Sequence, residues 1–171
     1  MTIHGEHPFL PPESERSPVR RFRSRLPAPV TLWTSRKDGE RAGLTVSSVL
    51  VADGEPGYVI GIIDPDSDLW ETLADSGRAV VGLLDERHRG LADAFGYVAP
   101  APGGPFTLGE WTETEWGPAL SGITWAGCVL ADPDPPSAGW GLQVRLEIQH
   151  VELAADDARP VVHRKGRYTA L

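Results

Sequence analysis

Between residues 29 and 51 the chain spells two strands and the turn that joins them. Residues 29–35 are rich in β-branched and aromatic side chains, which suit a pleated surface. Asp38-Gly39 follows, a pair that accepts the positive φ angles of a tight hairpin, and residues 41–51 return as the second strand. An antiparallel pair is thus set locally, and the rest of the chain repeats the device. Residues 53–57 are a turn, and 58–63 form a short, nearly all-apolar run of the kind buried on both faces. Residues 78–84, 123–130 and 142–153 read as further strands. In the last, Leu142, Val144, Leu146 and Ile148 alternate with polar residues, and a one-residue slip near His150 predicts a bulge. Two segments read as helix. One covers 69–74, capped by Ser67 or Asp68 and ended at Gly77; the other starts after Asp85, with Leu91, Ala94 and Phe95 on one face. About six strands with two short helices make a mainly β domain. Tight hairpins favour an antiparallel barrel over a sandwich, because closure removes exposed edges.

Residues 1–27 differ from the rest. Pro8, Pro11, Pro12, Pro18 and Pro27 lie among Arg16, Arg20, Arg21, Arg23 and Arg25. Proline at this density predicts an extended or mobile arm, followed by one domain over 28–171. The whole chain carries a formal charge of -8, which argues against a general nucleic-acid binder. It does not argue against a nucleotide cofactor, since backbone N–H groups and hydroxyls can hold a phosphate locally. No apolar run is long enough to span a bilayer and no secretory signal pattern is seen, so no membrane association is expected. A lone Cys128 excludes a disulfide within the chain and points to a reducing, cytoplasmic setting. Phosphate-loop, dinucleotide-fingerprint and nucleophile-elbow motifs are absent. The histidines His4, His7, His88, His150 and His163 lack metal-ligand spacing, so no metal is expected. Residues 96–118, with Pro100, Pro102 and Pro105, read as one long loop that could serve as a lid.

The segment Gly43-Leu44-Thr45-Val46-Ser47-Ser48 puts hydroxyl side chains together at the end of a strand. They could hydrogen-bond a phosphate or a polyol; a solvated strand edge is the plainer alternative. This run resembles the G-L/M-T-x-S/N-S segment of the flavin reductase-like family. The spacing from it to residues 60–64 and on to Ser67 is similar to that family's next strand and phosphate-side turn. Residues 76–84 resemble its following strand, and 160–168 resemble its closing segment.

Such a resemblance implies a split β-barrel homodimer with two or three short helices that binds FMN or FAD near the subunit interface. It implies that Leu44, Thr45, Val46, Ser47 and Ser48 contact the flavin ring and ribityl chain, and that Asp64, Pro65, Asp66 and Ser67 contact its phosphate. Trp140, His163 and Arg167 are further candidates for the cofactor site. The implied reaction is reduction of flavin by NADH or NADPH, supplying a partner monooxygenase. The flavin carries that chemistry, so no catalytic acid or base is required of the protein. The chain departs from the family pattern in two places. Ser67-Asp68-Leu69 stands where S-R-T is common, which replaces a cation by an anion and weakens the hold on phosphate unless Arg36, Lys37 or Arg41 compensates. Gly139-Trp140-Gly141 stands where many members have G-D-H beside the nicotinamide; Trp140 would stack on a ring or pack in the core. These departures keep open a second reading, a non-catalytic flavin or deazaflavin carrier or sensor. A third is a dimeric interaction protein that works through its arm.

Overall fold

The computed structural model describes residues 13–155 and 158–171. In chain order the elements are α1 (Pro18–Arg25), β1 (Ala28–Pro29), β2 (Thr31–Lys37), β3 (Glu40–Val46), β4 (Val49–Ala52), β5 (Tyr58–Ile63), α2 (Asp68–Ser76), β6 (Arg78–Leu83), α3 (Arg89–Phe95), β7 (Trp111–Thr114), β8 (Gly117–Leu120), β9 (Trp125–Leu130), β10 (Ser137–Ala138), β11 (Gly141–Glu152), β12 (Val161–Arg164) and β13 (Arg167–Ala170). The main sheet is antiparallel and runs β3-β2-β6-β9-β11-β5-β4, with β10 paired to the start of β11. Its two edge strands, β3 and β4, are consecutive in the chain, joined only by Ser47 and Ser48. Such a short link can join the two edges only if the sheet curls on itself. The result is the expected split barrel, with Ser47-Ser48 at its seam.

The local signals act as read. Asp38 and Gly39 take φ of 50° and 85° at the β2–β3 turn. Ser67 caps α2 by accepting the Trp70 N–H, and Gly77 ends it in the left-handed region at φ 70°. β11 slips register between Ile148 and His150.

Strand β2 is buried on both faces because two cores meet on it. Inside the curl, Trp33, Val59, Ile63, Leu69, Leu73, Cys128, Val144 and Leu146 pack together. The Trp33 ring lies flat over Gly61, where a Cβ would come within 2.7 Å of it. On the other face Leu32, Leu84, Leu91, Phe95, Leu120 and Val161 form a second core under α3. A smaller sheet, β1-β12-β13, sits beside it.

Two expectations are corrected. Within the supposed extended arm, residues 18–25 are helical: Ser17 accepts the Arg20 N–H, Pro18 takes the first turn where its missing N–H is harmless, and no proline follows until Pro27. Residues 1–12 of the arm lie outside the described residues. The supposed loop 96–118 ends in the β7–β8 hairpin, because Trp111 and Phe106 have an apolar place to go, packed with Phe95 at ring separations of 4.8–5.7 Å. That stretch covers the second core.

Candidate functional site

Within the seam segment, backbone alternation divides the five family-type positions. Val46 faces the core and is 3% exposed; its carbonyl accepts the Thr31 hydroxyl at 2.6 Å. Leu44 packs against the barrel core. The Thr45 hydroxyl donates to the Ala92 carbonyl at 2.7 Å, which fastens β3 to α3. These three positions hold structure. Ser47 and Ser48 are half-buried, and among the described residues neither hydroxyl has a hydrogen-bond partner. The Ser48 carbonyl accepts the Ile62 N–H at 3.0 Å, so β4 and β5 begin their pairing directly behind these two side chains. Donors in a half-buried seam, with no partner among the described residues, are what a polar ligand would require.

Ile62 leads straight into the turn between β5 and α2, so the two candidate segments share one end of the barrel. The turn is internally bonded. The Asp66 N–H donates to Asp64 Oδ1 at 2.9 Å, and the Ser67 N–H donates to the Asp64 carbonyl at 3.1 Å. The Ser67 hydroxyl donates to the Asp64 carbonyl at 2.7 Å while accepting the Trp70 N–H at 3.2 Å. Asp64, Pro65, Asp66 and Asp68 are exposed.

Trp140 is 100% exposed, so it packs in no core of this chain. It sits on the β10–β11 turn, and the neighbouring Gly141 lies against Ile62 and Ile63. That places it at the same end of the barrel. His163 and Arg167 lie on the small sheet, where they pair with Tyr168 and Arg164 across β12 and β13. The His163 ring makes an edge contact with Tyr168 at 5.3 Å. Burial holds its pKa below the ordinary histidine value, Arg23 adds to that, and Asp93 opposes it. Burial and the nearby Asp93 carboxylate of α3 push the Tyr168 phenol above its ordinary value. The structure therefore brings together Ser47, Ser48, the Asp64–Ser67 turn and Trp140, and puts His163 and Arg167 on the separate β1-β12-β13 sheet.

Sequence reasoning missed Tyr97. It follows α3 at φ 57°, a conformation uncommon for a residue with a side chain, and is 59% exposed. The preceding Gly96 stands against Thr45, and Asp68 lies within electrostatic reach of the phenol, whose pKa is raised first by burial and then by that carboxylate. Tyr97 thus bridges seam and turn. It also lines an open concavity of about 410 Å³ with Ala94, Val98, Ala99, Pro100, Ala101 and Pro105. The only hint in the sequence is a tyrosine just past a helix-ending glycine. A second concavity of about 440 Å³ lies at the opposite end of β4 and β5 and touches none of these residues, so it has no part in the site.

The three cations expected to compensate the acidic turn are engaged elsewhere. Arg36 and Arg41 both pair with Glu113, and Lys37 pairs with Asp75 at 3.7 Å, in the last turn of α2. Cys128 is fully buried and its thiol is pushed up to about 12 by burial, which removes it as a nucleophile. Among the described residues no three carboxylate, histidine or cysteine side chains converge on a cation site, and no helix is long and apolar enough to cross a membrane.

Comparison with known proteins agrees with this geometry. The family model described as "Flavin reductase like domain" matches residues 23–171. The FMN reductase (NADH) RutF 1 of Methylorubrum extorquens is 33% identical over 103 residues, which cover 60% of this chain and 51% of that protein. The chain spans about half the length of the curated relatives it matches. Among solved structures, nitrilotriacetate monooxygenase component B from Mycobacterium thermoresistibile superposes with a TM-score of 0.80 at 22% identity, over 90% of this chain and 84% of that one. The Streptomyces globisporus NADH:FAD oxidoreductase SgcE6, in complex with NAD and FAD fragments, superposes at 0.79 with 19% identity, over 95% and 96%. These structures share the fold.

Proposed function

Because this chain belongs to the flavin reductase-like family, we propose that it catalyses reduction of FMN or FAD by NADH or NADPH. The observation that carries this reading is the pair of half-buried serine hydroxyls at the barrel seam, where the family resemblance implies flavin contact. A bound flavin would supply the ring that accepts hydride, and it would be the seat of the chemistry. What the chain contributes is placement. Ser47 and Ser48 would bind the polar edge or ribityl hydroxyls. Thr45 positions them by tying β3 to α3. Tyr97 and Trp140 offer apolar surface at the same rim, able to cover a ring and exclude water from it.

Relatives named FMN reductase (NADH) support the nicotinamide reaction. The likeness to a monooxygenase component supports delivery of reduced flavin to an oxygenase partner. A homodimer is supported by the outer face of β4 and β5, where Leu50 and Ile62 are 57% and 39% exposed. A cytoplasmic site is supported by the buried free thiol of Cys128.

The test is the visible spectrum of the protein after incubation with FMN and desalting, followed by NADH or NADPH without oxygen. Retained flavin absorbance bleached by a nicotinamide is the expected result. Retained absorbance that neither nicotinamide bleaches would favour the carrier or sensor reading. No retained flavin, together with no NADH consumption at excess FMN, would overturn flavin chemistry. Light scattering of the eluting protein checks the dimer.

A further inference from the structure

We propose that the β5–α2 turn of this chain is closed to phosphate, and that the flavin is held by its ring and ribityl chain, so that riboflavin binds at least as tightly as FMN. The proposal rests on the flavin reading above and names which flavin the site accepts.

Three observations carry it. First, most of the donors that would cradle a phosphate are already in use, the Asp68 and Leu69 N–H groups at the start of α2 being the exceptions. The N–H groups of Asp66 and Ser67 and the Ser67 hydroxyl all donate to Asp64, and the Trp70 N–H donates to Ser67. An anion-binding turn works by presenting such N–H groups to a ligand. Here the Asp64 carboxylate and carbonyl occupy that role from within the chain. Second, the charge at the mouth is wrong. Asp64, Asp66 and Asp68 are exposed side by side where a phosphate dianion would sit. Third, none of the cations the sequence offered as compensation reaches the turn. Arg36 and Arg41 are held on Glu113 and Lys37 by Asp75, and Arg145 lies over the Tyr58 ring at the start of β5, the other end of that strand. Among the described residues there is also no set of side chains placed to hold a bridging cation. The open hydroxyls are on the ribityl side, at Ser47 and Ser48. Recognition therefore falls on the uncharged part of the ligand.

The experiment is a titration of the full chain with riboflavin and with FMN, read by quenching of flavin fluorescence, at about 0.02 M and about 0.2 M salt. Riboflavin is expected to bind as tightly as FMN or more tightly at low salt, with FMN gaining as salt screens the repulsion. The paired substitution Asp66→Asn and Asp68→Asn removes charge without removing any hydrogen bond that these side chains make. It is expected to tighten FMN by about threefold or more and to leave riboflavin unchanged. FMN binding more tightly than riboflavin at low salt, and weakening as salt rises, would overturn the proposal while leaving the flavin reading intact. Failure of both flavins to bind would overturn the flavin reading and this inference with it.

Discussion

The seam and the β5–α2 turn are neighbours at one end of the barrel, and both carry serine, yet their hydrogen-bond states are opposite. At the turn, Ser67 both donates and accepts within the chain. At the seam, the Ser47 and Ser48 hydroxyls do neither among the described residues. Thr45, one position before Val46, belongs with Ser67, since its hydroxyl is engaged by Ala92. Residue type therefore does not separate a binding hydroxyl from a structural one. What separates them is whether the fold already supplies a partner.

Substitutions can break or sharpen that contrast. The largest stability effect is expected for Thr45→Val, which removes the side-chain donor to the Ala92 carbonyl and leaves it the Gly96 N–H alone. It should cost about 1.5 kcal/mol of stability, measured by urea unfolding. If stability were unchanged while flavin affinity collapsed, Thr45 would belong with the ligand. Next comes Ser47→Ala with Ser48→Ala. Flavin affinity should fall about tenfold, or roughly 1.4 kcal/mol, while unfolding free energy stays within about 0.5 kcal/mol of the parent. Affinity for flavin unchanged from the parent in that variant would remove the seam from the site. Ser67→Ala should lower stability by about 1 kcal/mol through loss of the helix cap, with no loss of flavin affinity. A large loss of FMN binding there would give the turn back to the phosphate.

The smallest effect is expected outside both segments, as a control on acid sensitivity. The buried Asp85 carboxyl has its pKa lowered, chiefly by the Arg87 hydrogen bonds and against the cost of burial. A depressed carboxylate contributes stability above the ordinary aspartate range and loses it as pH falls through the folded value. Asp85→Asn should therefore be less stable than the parent at neutral pH, with the gap closing in acid. Thermal melts between neutral pH and about pH 3 would show this narrowing. A gap that stayed constant would assign the loss to packing.

Much of the fold is written locally. Asp38-Gly39 turns a hairpin, Ser67 and Gly77 bound α2, and the phase slip near His150 is a real bulge. Signals of this kind act over a few residues, where a single side chain decides the backbone. Others were present and outweighed. Ser17-Pro18 starts a helix that proline density seemed to forbid, and Trp111 and Phe106 order a stretch whose prolines suggested a loop.

By itself, then, the sequence determined the β-dominated class, the order of the main strands, the caps of α2 and the two segments that flank the candidate site. The first three follow from propensity, turn chemistry or alternation, which need no distant contact, and the two segments follow from the family resemblance. Only the tertiary structure decided which hydroxyls are open. Thr45 is closed by a carbonyl 47 residues away, and Arg36 and Arg41 are drawn off by Glu113, 77 and 72 residues away. Tyr97 meets Asp68, and Trp140 stands at the same rim, because strands and helices remote in sequence end together when the sheet curls. Partner choice depends on distance in space, and curling the sheet is what sets those distances.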